Sequence, residues 1–406
     1  MVTTSYPRFP GDTIGTFMEP IAHGVAARGH DVHLVMPWHP KLTRGAREGR
    51  VHFHFFRYAP HPSLNVFGYA ESLHADVHMK WAAYAAAPLA MAAGWRAARR
   101  VARSVGATVI HGHWVIPGGV LAAAAMPSLP LVVSLHGSDV YVAERNAVAG
   151  SFARRVFGRA GWVTACSADL RTRALALGAR EDRSEVLPYG VDGDRFRPDP
   201  QTRASIRQHL GLTDTTPMAF AAGRFVRKKG FEYLIDAAAR LAATHPALTV
   251  VFGGDGDLRE ELRARAAAQG VADRVRFVGL LSQDDVARYL AAADVAVVPS
   301  IRDDAGNVDG LPNVVMETLA SGTPLIATPA GGIGSVITHD RTGLLVPERD
   351  ADAIARALDT LLAQPSHRAA IGAAARAHVL DRFGWPHVAE RLEAAYAAAR
   401  SAIRPA

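Results

Sequence analysis

A chain of 406 residues is too long for one ordinary hydrophobic core and suits two domains of about 200 residues each. Its apolar content of 49% and charged content of 20% are those of a globular protein. The single cysteine, Cys166, excludes an internal disulfide and fits a reducing cytosol. The formal net charge is +7, but the cations are spread along the chain and only Lys41, Lys80, Lys228 and Lys229 are lysines. A nucleic-acid binder needs a clustered basic stripe interleaved with aromatics, and none is seen. An anionic membrane or an anionic substrate stays open.

Met1–Pro10 lacks the apolar core of a signal peptide. The apolar stretches Ala82–Gly94 and Gly118–Leu135 are broken by Pro88 and by Pro127 and Pro130, so neither reads as a membrane span. In chain order, β-branched or apolar runs predict strands at Val2–Ser5, Asp31–Met36, Val51–Phe56, Thr108–His111, Leu131–Leu135 and Trp162–Ala165. Helical patterns fall between them at Thr16–Arg28, Trp81–Val105, Pro117–Ala125 and Asp169–Leu177. Val2–Ser5 already lies at a strand's exit, so the first strand is unusually short or the start codon is misassigned. The second half repeats the scheme at Met218–Ala221, Leu248–Phe252, Val275–Val278, Val295–Val298, Pro324–Ala327 and Leu344–Val346.

Between the halves, Pro188–Pro200 holds three prolines and two glycines, which excludes a long helix or central strand and marks a linker. The expectation is an α/β protein with two Rossmann-like domains and parallel sheets facing one cleft. Residues 1–190 form the first domain and 191–384 the second, with a C-terminal helix at about 385–406 packing back on the first. Ligands in such sheets sit beyond the carboxyl ends of the strands.

The chemistry concentrates in the second half. In Asp309-Gly-Leu-Pro-Asn-Val-Val-Met-Glu317, Pro312 suits the first turn of a helix and Gly310 allows close backbone approach. The N–H groups of Asn313, Val314 and Val315 would then seat a diphosphate. Glu317, more than one turn further on, can accept two hydrogen bonds from a ribose diol, and Asp309 can hold hydroxyls of a transferred group. The bland alternative is an ordinary surface loop and amphipathic helix. Arg224 and Lys229, five residues apart in a glycine-flanked strand exit, can neutralise a leaving diphosphate, or form a solvated basic turn.

His136 follows the strand Leu131–Leu135 and precedes Gly137; from position alone it is as readily a packing residue as a catalytic one. Asp139 is similar, or caps the next helix. His52-x-His54 and His111-x-His113 each place two imidazoles on one strand face, without the cysteines or carboxylates of a zinc site. Gly253-Gly-Asp-Gly256 lacks the spacing of a dinucleotide fingerprint and reads as a tight turn lining the cleft, with Gly254 at the ligand.

Taken in order and spacing, these segments resemble the GT4 family of retaining glycosyltransferases. The likeness runs through Thr4–Asp12, Arg28-Gly-His-Asp-Val32, Leu135-His-Gly-Ser-Asp139, Leu187-Pro-Tyr-Gly-Val-Asp192, Gly223-Arg224 with Lys229-Gly230, and Gly254-Asp-Gly256. It closes with Asp309 to Glu317, Gly331-Gly332 and Gly343-Leu-Leu-Val-Pro347.

The resemblance implies a GT-B fold and transfer of a hexosyl group from a UDP- or GDP-sugar. It places Glu317 on the ribose, Arg224 and Lys229 on the diphosphate, and Asp309 on the donor sugar. His136 would stand beside the reacting sugar, and Gly15 would let the first loop approach the donor. Gly254, Gly310, Leu311, Pro312, Asn313 and Val314 complete the expected donor site, with no cofactor and no metal requirement.

Two positions depart from the family: Asp309 stands where a glutamate is usual, and Ser335 follows the double glycine. The expected acceptor is a glycan, a lipid-linked sugar or a small molecule. It would be bound by the first domain, where Phe67, Tyr69, His74, His78, Trp81 and Tyr84 cluster between Ala59 and Trp95. A lipid-linked acceptor would bring this domain to the inner face of the membrane. The competing readings are a nucleotide-sugar 2-epimerase of the same architecture and a non-catalytic sugar-nucleotide-binding protein.

Overall fold

The computed structural model describes residues 1–12, 14–59, 61, 65, 67–69, 73, 74, 78, 79 and 81–402. The chain forms two compact units, Met1–Tyr189 with Trp385–Ala406, and Gly190–Gly384.

The first unit carries strands β1 Val32–Pro37, β2 Arg47–Glu48, β3 Val51–Phe56, β4 Leu73–His74, β5 His78–Met79, β6 Ile110–His113, β7 Leu131–Leu135, β8 Trp162–Ala165 and β9 Ser184–Val186. Its helices are α1 Met18–Ala27, α2 Trp81–Ser104, α3 Val120–Ala125, α4 Ser138–Arg145, α5 Ala147–Arg159 and α6 Ala168–Ala176. The expected strand Val2–Ser5 shrinks to one bridging residue, because Val2 pairs in parallel with Val35 of β1 and Gly112 of β6. Through it the two parts of the sheet join in the order β2-β3-β1-Val2-β6-β7-β8-β9.

The strand expected at 108–111 starts two residues later. The helix expected from Pro117 is instead a wide turn over Trp114–Gly119, with Ile116 extended, and regular helix begins only at Val120. Proline and two glycines in that turn withhold one amide donor and resist the helical conformation.

The second unit continues with strands β10 Met218–Ala222, β11 Thr249–Gly253, β12 Val275–Gly279, β13 Val295–Val298, β14 Leu325–Ala327 and β15 Leu344–Leu345. Helices α7 Pro200–His209, α8 Phe231–Arg240, α9 Arg259–Ala268, α10 Gln283–Ala292, α11 Asn313–Ala320, α12 Ala351–Ala363 and α13 Pro365–Arg382 cover this sheet, and α14 Trp385–Ser401 returns to the first unit. All pairings are parallel in the order β12-β11-β10-β13-β14-β15, the doubly wound arrangement whose direction reverses between β10 and β13.

Local sequence accounts for these elements. In α8, Phe231, Leu234, Ile235 and Ala238 are buried at helical spacing, and they meet the mutually packed rings of Phe225, Phe252 and Phe277 under β10–β12. Ser282 and Asp285 cap α10, with the Asp285 N–H donating to the Ser282 hydroxyl at 3.1 Å. In the first unit Met18, Ile21 and Val25 of α1 and Val388 and Leu392 of α14 cover one face of β1 and β3. No helix among the described residues is long and apolar enough to cross a membrane.

Candidate functional site

In the second unit the candidate residues gather where the strand order reverses. The loop after β10 and the loop after β13 are tied together there: the Ile301 N–H donates to the Lys228 carbonyl at 2.9 Å. Gly230 adopts φ +63°, and a Cβ on it would lie 2.1 Å from the Pro299 carbonyl oxygen. Only glycine permits both the left-handed turn and this approach. The turn Arg227–Lys229 ahead of it presents Lys228 and Lys229 side by side, while Arg227 turns away to pair with Glu261 at 2.9 Å.

Asp309 meets both lysines. Its Oδ1 lies 3.0 Å from Lys228 Nζ and its Oδ2 2.7 Å from Lys229 Nζ, with all three side chains at most 15% exposed. Burial pushes the Asp309 carboxyl up, but the two ammonium groups outweigh it and hold the carboxyl well below the usual range. The site residue expected on sugar hydroxyls is therefore a counter-ion to the expected diphosphate cation, and Lys228 joins the constellation. Arg224 is exposed on the same loop.

The helix start differs in detail from the expectation. Pro312 precedes α11 in an extended conformation, ψ 130°, so Asn313 is the first helical residue. The Val315 N–H donates to the Pro312 carbonyl at 3.0 Å, which takes it out of the expected set of phosphate-seating amides. Glu317 is buried, and among the described residues its carboxylate accepts only a long 3.4 Å bond from Gln283 Nε2. Burial raises it to about 7, against smaller opposing effects of Gln283 and Arg195. A buried carboxylate so poorly supplied with donors suits a ligand that brings its own hydroxyls.

Gly310, Leu311 and Pro312 are buried beside it. Gly254 is packed closely against the turn before it, since a Cβ there would lie 1.9 Å from the Gly223 carbonyl oxygen. Ser335 ends a single turn and donates to the Gly332 carbonyl at 2.6 Å.

In the first unit His136 leaves β7 with both ring nitrogens engaged. Nδ1 lies 3.0 Å from the Tyr189 hydroxyl and Nε2 3.0 Å from His113 Nδ1. The ring also lies against Phe17 and Trp114, with centroids at 4.8 and 4.7 Å. Burial drives His136 down to about 3, so it is a neutral imidazole.

His111 and His113 do share one face, as alternation requires, with ring centroids 4.0 Å apart. His111 bonds the Tyr396 and Ser134 hydroxyls at 3.0 and 2.7 Å, and His113 Nε2 is buried without a partner among the described residues. One group of candidate metal ligands converges among the described residues, Glu19, His23 and Glu48. There the Arg44 guanidinium already binds both carboxylates, at 2.6 and 2.8 Å.

Asp139 stands in the first turn of α4, where the Val140 N–H also favours its ionised form. Its carboxylate accepts from the Val115 N–H at 2.5 Å and the Gly137 N–H at 3.2 Å, and burial raises it to about 7. Gly15 takes φ +66° at the entry to α1. Of the aromatic and histidine group, His74, His78, Trp81 and Tyr84 lie outside the residues whose side chains are described. Tyr69 is a packing residue, buried with its hydroxyl donating to the Pro37 carbonyl at 2.6 Å.

The buried histidines make stability depend on pH. His111, His113 and His136 lie below the ordinary value of 6.5, and the Met1 amine falls to about 5, all through burial. Below pH 6.5 the unfolded chain binds protons that the folded chain refuses, so stability falls as pH falls. Asp139 and Glu317, raised to about 7, act oppositely but are fewer. Thermal melts should lose about 1–3 kcal/mol per pH unit between roughly pH 6.5 and 5. A His111→Asn/His113→Asn variant should show a shallower loss; an equally steep one would contradict the burial argument.

Comparison with known proteins decides the family. The profile described as Glycosyl transferases group 1 matches residues 202–378, and that described as Glycosyltransferase Family 4 matches residues 14–195. A GDP-mannose-dependent alpha-(1-6)-phosphatidylinositol monomannoside mannosyltransferase of Mycobacterium tuberculosis (strain CDC 1551 / Oshkosh) is 35% identical over 263 residues, 64% of this chain and 68% of the relative. The chain belongs to glycosyltransferase family 4.

This family 4 enzyme is a glycosyltransferase that uses a nucleotide-sugar donor, which sets aside the epimerase and the non-catalytic binder. Its fold is GT-B. Sucrose-phosphate synthase from Thermosynechococcus elongatus superposes with a TM-score of 0.77 at 22% identity, covering 94% of this chain and 92% of that one. Anabaena HepE in complex with UDP gives 0.74 at 19%, covering 97% of each.

Sequence reasoning passed over three residues of this glycosyltransferase. Lys228 adjoins Lys229, but nothing in the sequence pairs it with Asp309. Tyr189 stands inside Leu187–Asp192, and His113 was weighed only as a metal ligand; the signal for both was the strand-exit position of His136.

Proposed function

We propose that the chain is a retaining hexosyltransferase whose donor is a GDP-sugar, with GDP-mannose the first candidate and UDP-sugars the second. The observation that carries this reading is the Lys228–Asp309–Lys229 cluster at the sheet's reversal point, with the under-supplied Glu317 carboxylate eight residues on from Asp309 in the chain. Arg224, Lys229 and Lys228 take the diphosphate with the amides of Asn313 and Val314, and Glu317 takes the ribose diol. Gly254, Gly310, Leu311 and Pro312 shape the backbone around them, and Asp309 turns to the donor sugar once the phosphates claim its lysines. The preference for GDP-mannose is supported by the names of relatives 35–40% identical, which are GDP-mannose-dependent mannosyltransferases.

In the first unit, His136 and Gly15 border the reacting sugar, and the segment Ala59–Trp95 meets the acceptor. Because both its ring nitrogens are engaged and burial disfavours its protonated form, His136 positions groups and does not take the acceptor proton. Transfer forms the bond from acceptor oxygen to the anomeric carbon as the bond to phosphate breaks on the same face. The departing phosphate accepts the proton, and the lysines stabilise its charge.

We place the enzyme in the cytoplasm, where its product enters polysaccharide or glycolipid biosynthesis, and give it a lipid-linked acceptor that brings it to the membrane's inner face. No cofactor or metal is required. Thermal shift against GDP, UDP and their hexose derivatives, with and without chelator, tests the donor site. GDP and GDP-mannose should raise the melting temperature, chelator present or not. No shift with any nucleotide diphosphate at millimolar concentration would overturn the reading.

A further inference from the structure

The segment expected as a linker, Pro188–Pro200, contains a compact turn. Asp192 Oδ1 accepts from the backbone N–H groups of Asp194 and Arg195, each at 3.0 Å, and the Phe196 N–H donates to the Asp192 carbonyl at 2.9 Å. An aspartate that receives amides two and three residues further on fixes the backbone of such a turn, and this one presents Arg195 to the start of α10. There Arg195 Nε lies 3.0 Å from Asp284 Oδ1, and Arg195 Nη1 donates to Gln283 Oε1 at 2.8 Å. All these residues belong to the second unit.

The contact with Arg195 decides which way the Gln283 amide faces. A guanidinium has donors and no acceptor, so the atom it meets must be the amide oxygen. The amide nitrogen is left for Glu317, and it donates to Glu317 Oε1 at 3.4 Å. Arg195, Gln283 and Glu317 therefore form a chain in which each hydrogen points toward the carboxylate.

Glu317 depends on that chain. It is 8% exposed, and Gln283 is its one hydrogen-bond donor among the described residues. Burial raises its carboxyl to about 7, and the influences opposing that rise are the Gln283 bond and then the Arg195 charge. Asp284 is held by Arg195 at 3.0 Å. From α13, which packs on α11, Arg376 is turned to the carbonyls of Gly193, Phe196 and Ala320. Strands β13 and β14, also in contact with α11, carry no charged residue.

We propose that Arg195 and Gln283 are positioning residues of the donor site: Arg195 orients the Gln283 amide, and that amide keeps Glu317 an ionised acceptor for the two hydroxyls of the donor's ribose. The inference rests on the reading that Glu317 takes the ribose diol. An ionised carboxylate accepts from both hydroxyls, whereas a protonated one must use an oxygen as a donor, and bonds to a charged acceptor are the stronger. The grip on ribose therefore weakens as pH falls through about 7. Without the chain, the carboxyl loses two influences that favour its charged form, so the weakening sets in at higher pH.

The experiment is calorimetry on the full chain from about pH 5.5 to 9. Its probes are GDP, or UDP if that binds more tightly, and the dideoxy analogue of the same nucleotide. Both members of the pair carry one base and one diphosphate, so the ratio of their affinities isolates the ribose contact. The parent should prefer the ribonucleotide by at least about tenfold at high pH, with the preference falling through a midpoint near 7. Gln283→Met should move that midpoint up by about one unit, and Arg195→Met by less. Arg195→Lys, which keeps the charge and a donor, should return it toward the parent's. In Glu317→Gln the preference should no longer change with pH. Arg195 is 40% exposed, so its variants should keep the parent's melting temperature.

A pH-dependent ratio whose midpoint stays in place in both Gln283→Met and Arg195→Met would overturn this inference alone. A ratio that still titrates in Glu317→Gln would overturn it too, since another group would then be responsible. A ratio of one at every pH in the parent, or binding of neither nucleotide, would overturn the ribose assignment of the proposed function and this inference with it.

Discussion

Replacing Lys229 with alanine is expected to lower kcat about 10²–10³-fold, the range seen when one preorganised group is removed from developing transition-state charge. The ammonium lies 2.7 Å from Asp309 and is mostly buried, so water replaces it poorly when the diphosphate departs. The fold should survive, because Lys228 remains 3.0 Å from the same carboxylate and keeps Asp309 from becoming an uncompensated buried charge. Lys228→Ala should cost less in kcat than Lys229→Ala. Steady-state kinetics with the donor found by thermal shift measures both, and near parental turnover of Lys229→Ala would remove Lys229 from the machinery.

The second large effect is expected from a glycine that packs against the Asp309 backbone. Gly331 takes φ +60°, and a Cβ there would lie 1.9 Å from the Asp309 carbonyl oxygen. Gly331→Ala therefore carries about 1–2 kcal/mol for the left-handed conformation, and the Asp309 backbone must also move away. A displaced Asp309 disturbs both lysine contacts at once. The expected outcome is a melting temperature lower by about 5–10 °C and donor affinity at least about tenfold weaker.

Gly270→Ala supplies the comparison. Gly270 has φ +68° with nothing within 4 Å of its added Cβ, so it bears the conformational cost alone. If the two variants melt together and bind donor equally, the contact with Asp309 has no consequence.

Much of the fold was legible because its signals are local. Parallel strands buried on both faces read as apolar runs, so Leu131–Leu135 and Val295–Val298 appear at their expected bounds. The entry to α11 was visible in Gly310 and Pro312, although proline's extended ψ moved the helix start on by one residue. What stayed hidden depends on residues distant in sequence. Asp309 and Lys229 are 80 positions apart and His136 and Tyr189 53; no periodicity or spacing announces such pairs. The turn Trp114–Gly119 misled because its apolar content resembles a helix, whereas Pro117, Gly118 and Gly119 withhold helix propensity.

The pairing of Asp309 with two lysines bears on how a catalytic cycle would end. On the proposed reading, the empty site carries its own counter-ion, so stray inorganic phosphate must compete with a tethered carboxylate before it can settle on Lys228 and Lys229. A nucleotide sugar wins that competition because ribose, diphosphate and hexose are held together on one molecule. After transfer the hexose is gone, Asp309 is released from it, and the carboxylate can reclaim its lysines as the nucleoside diphosphate leaves. The shortened acid at position 309 then acts as an internal displacer, so that turnover is favoured over product retention.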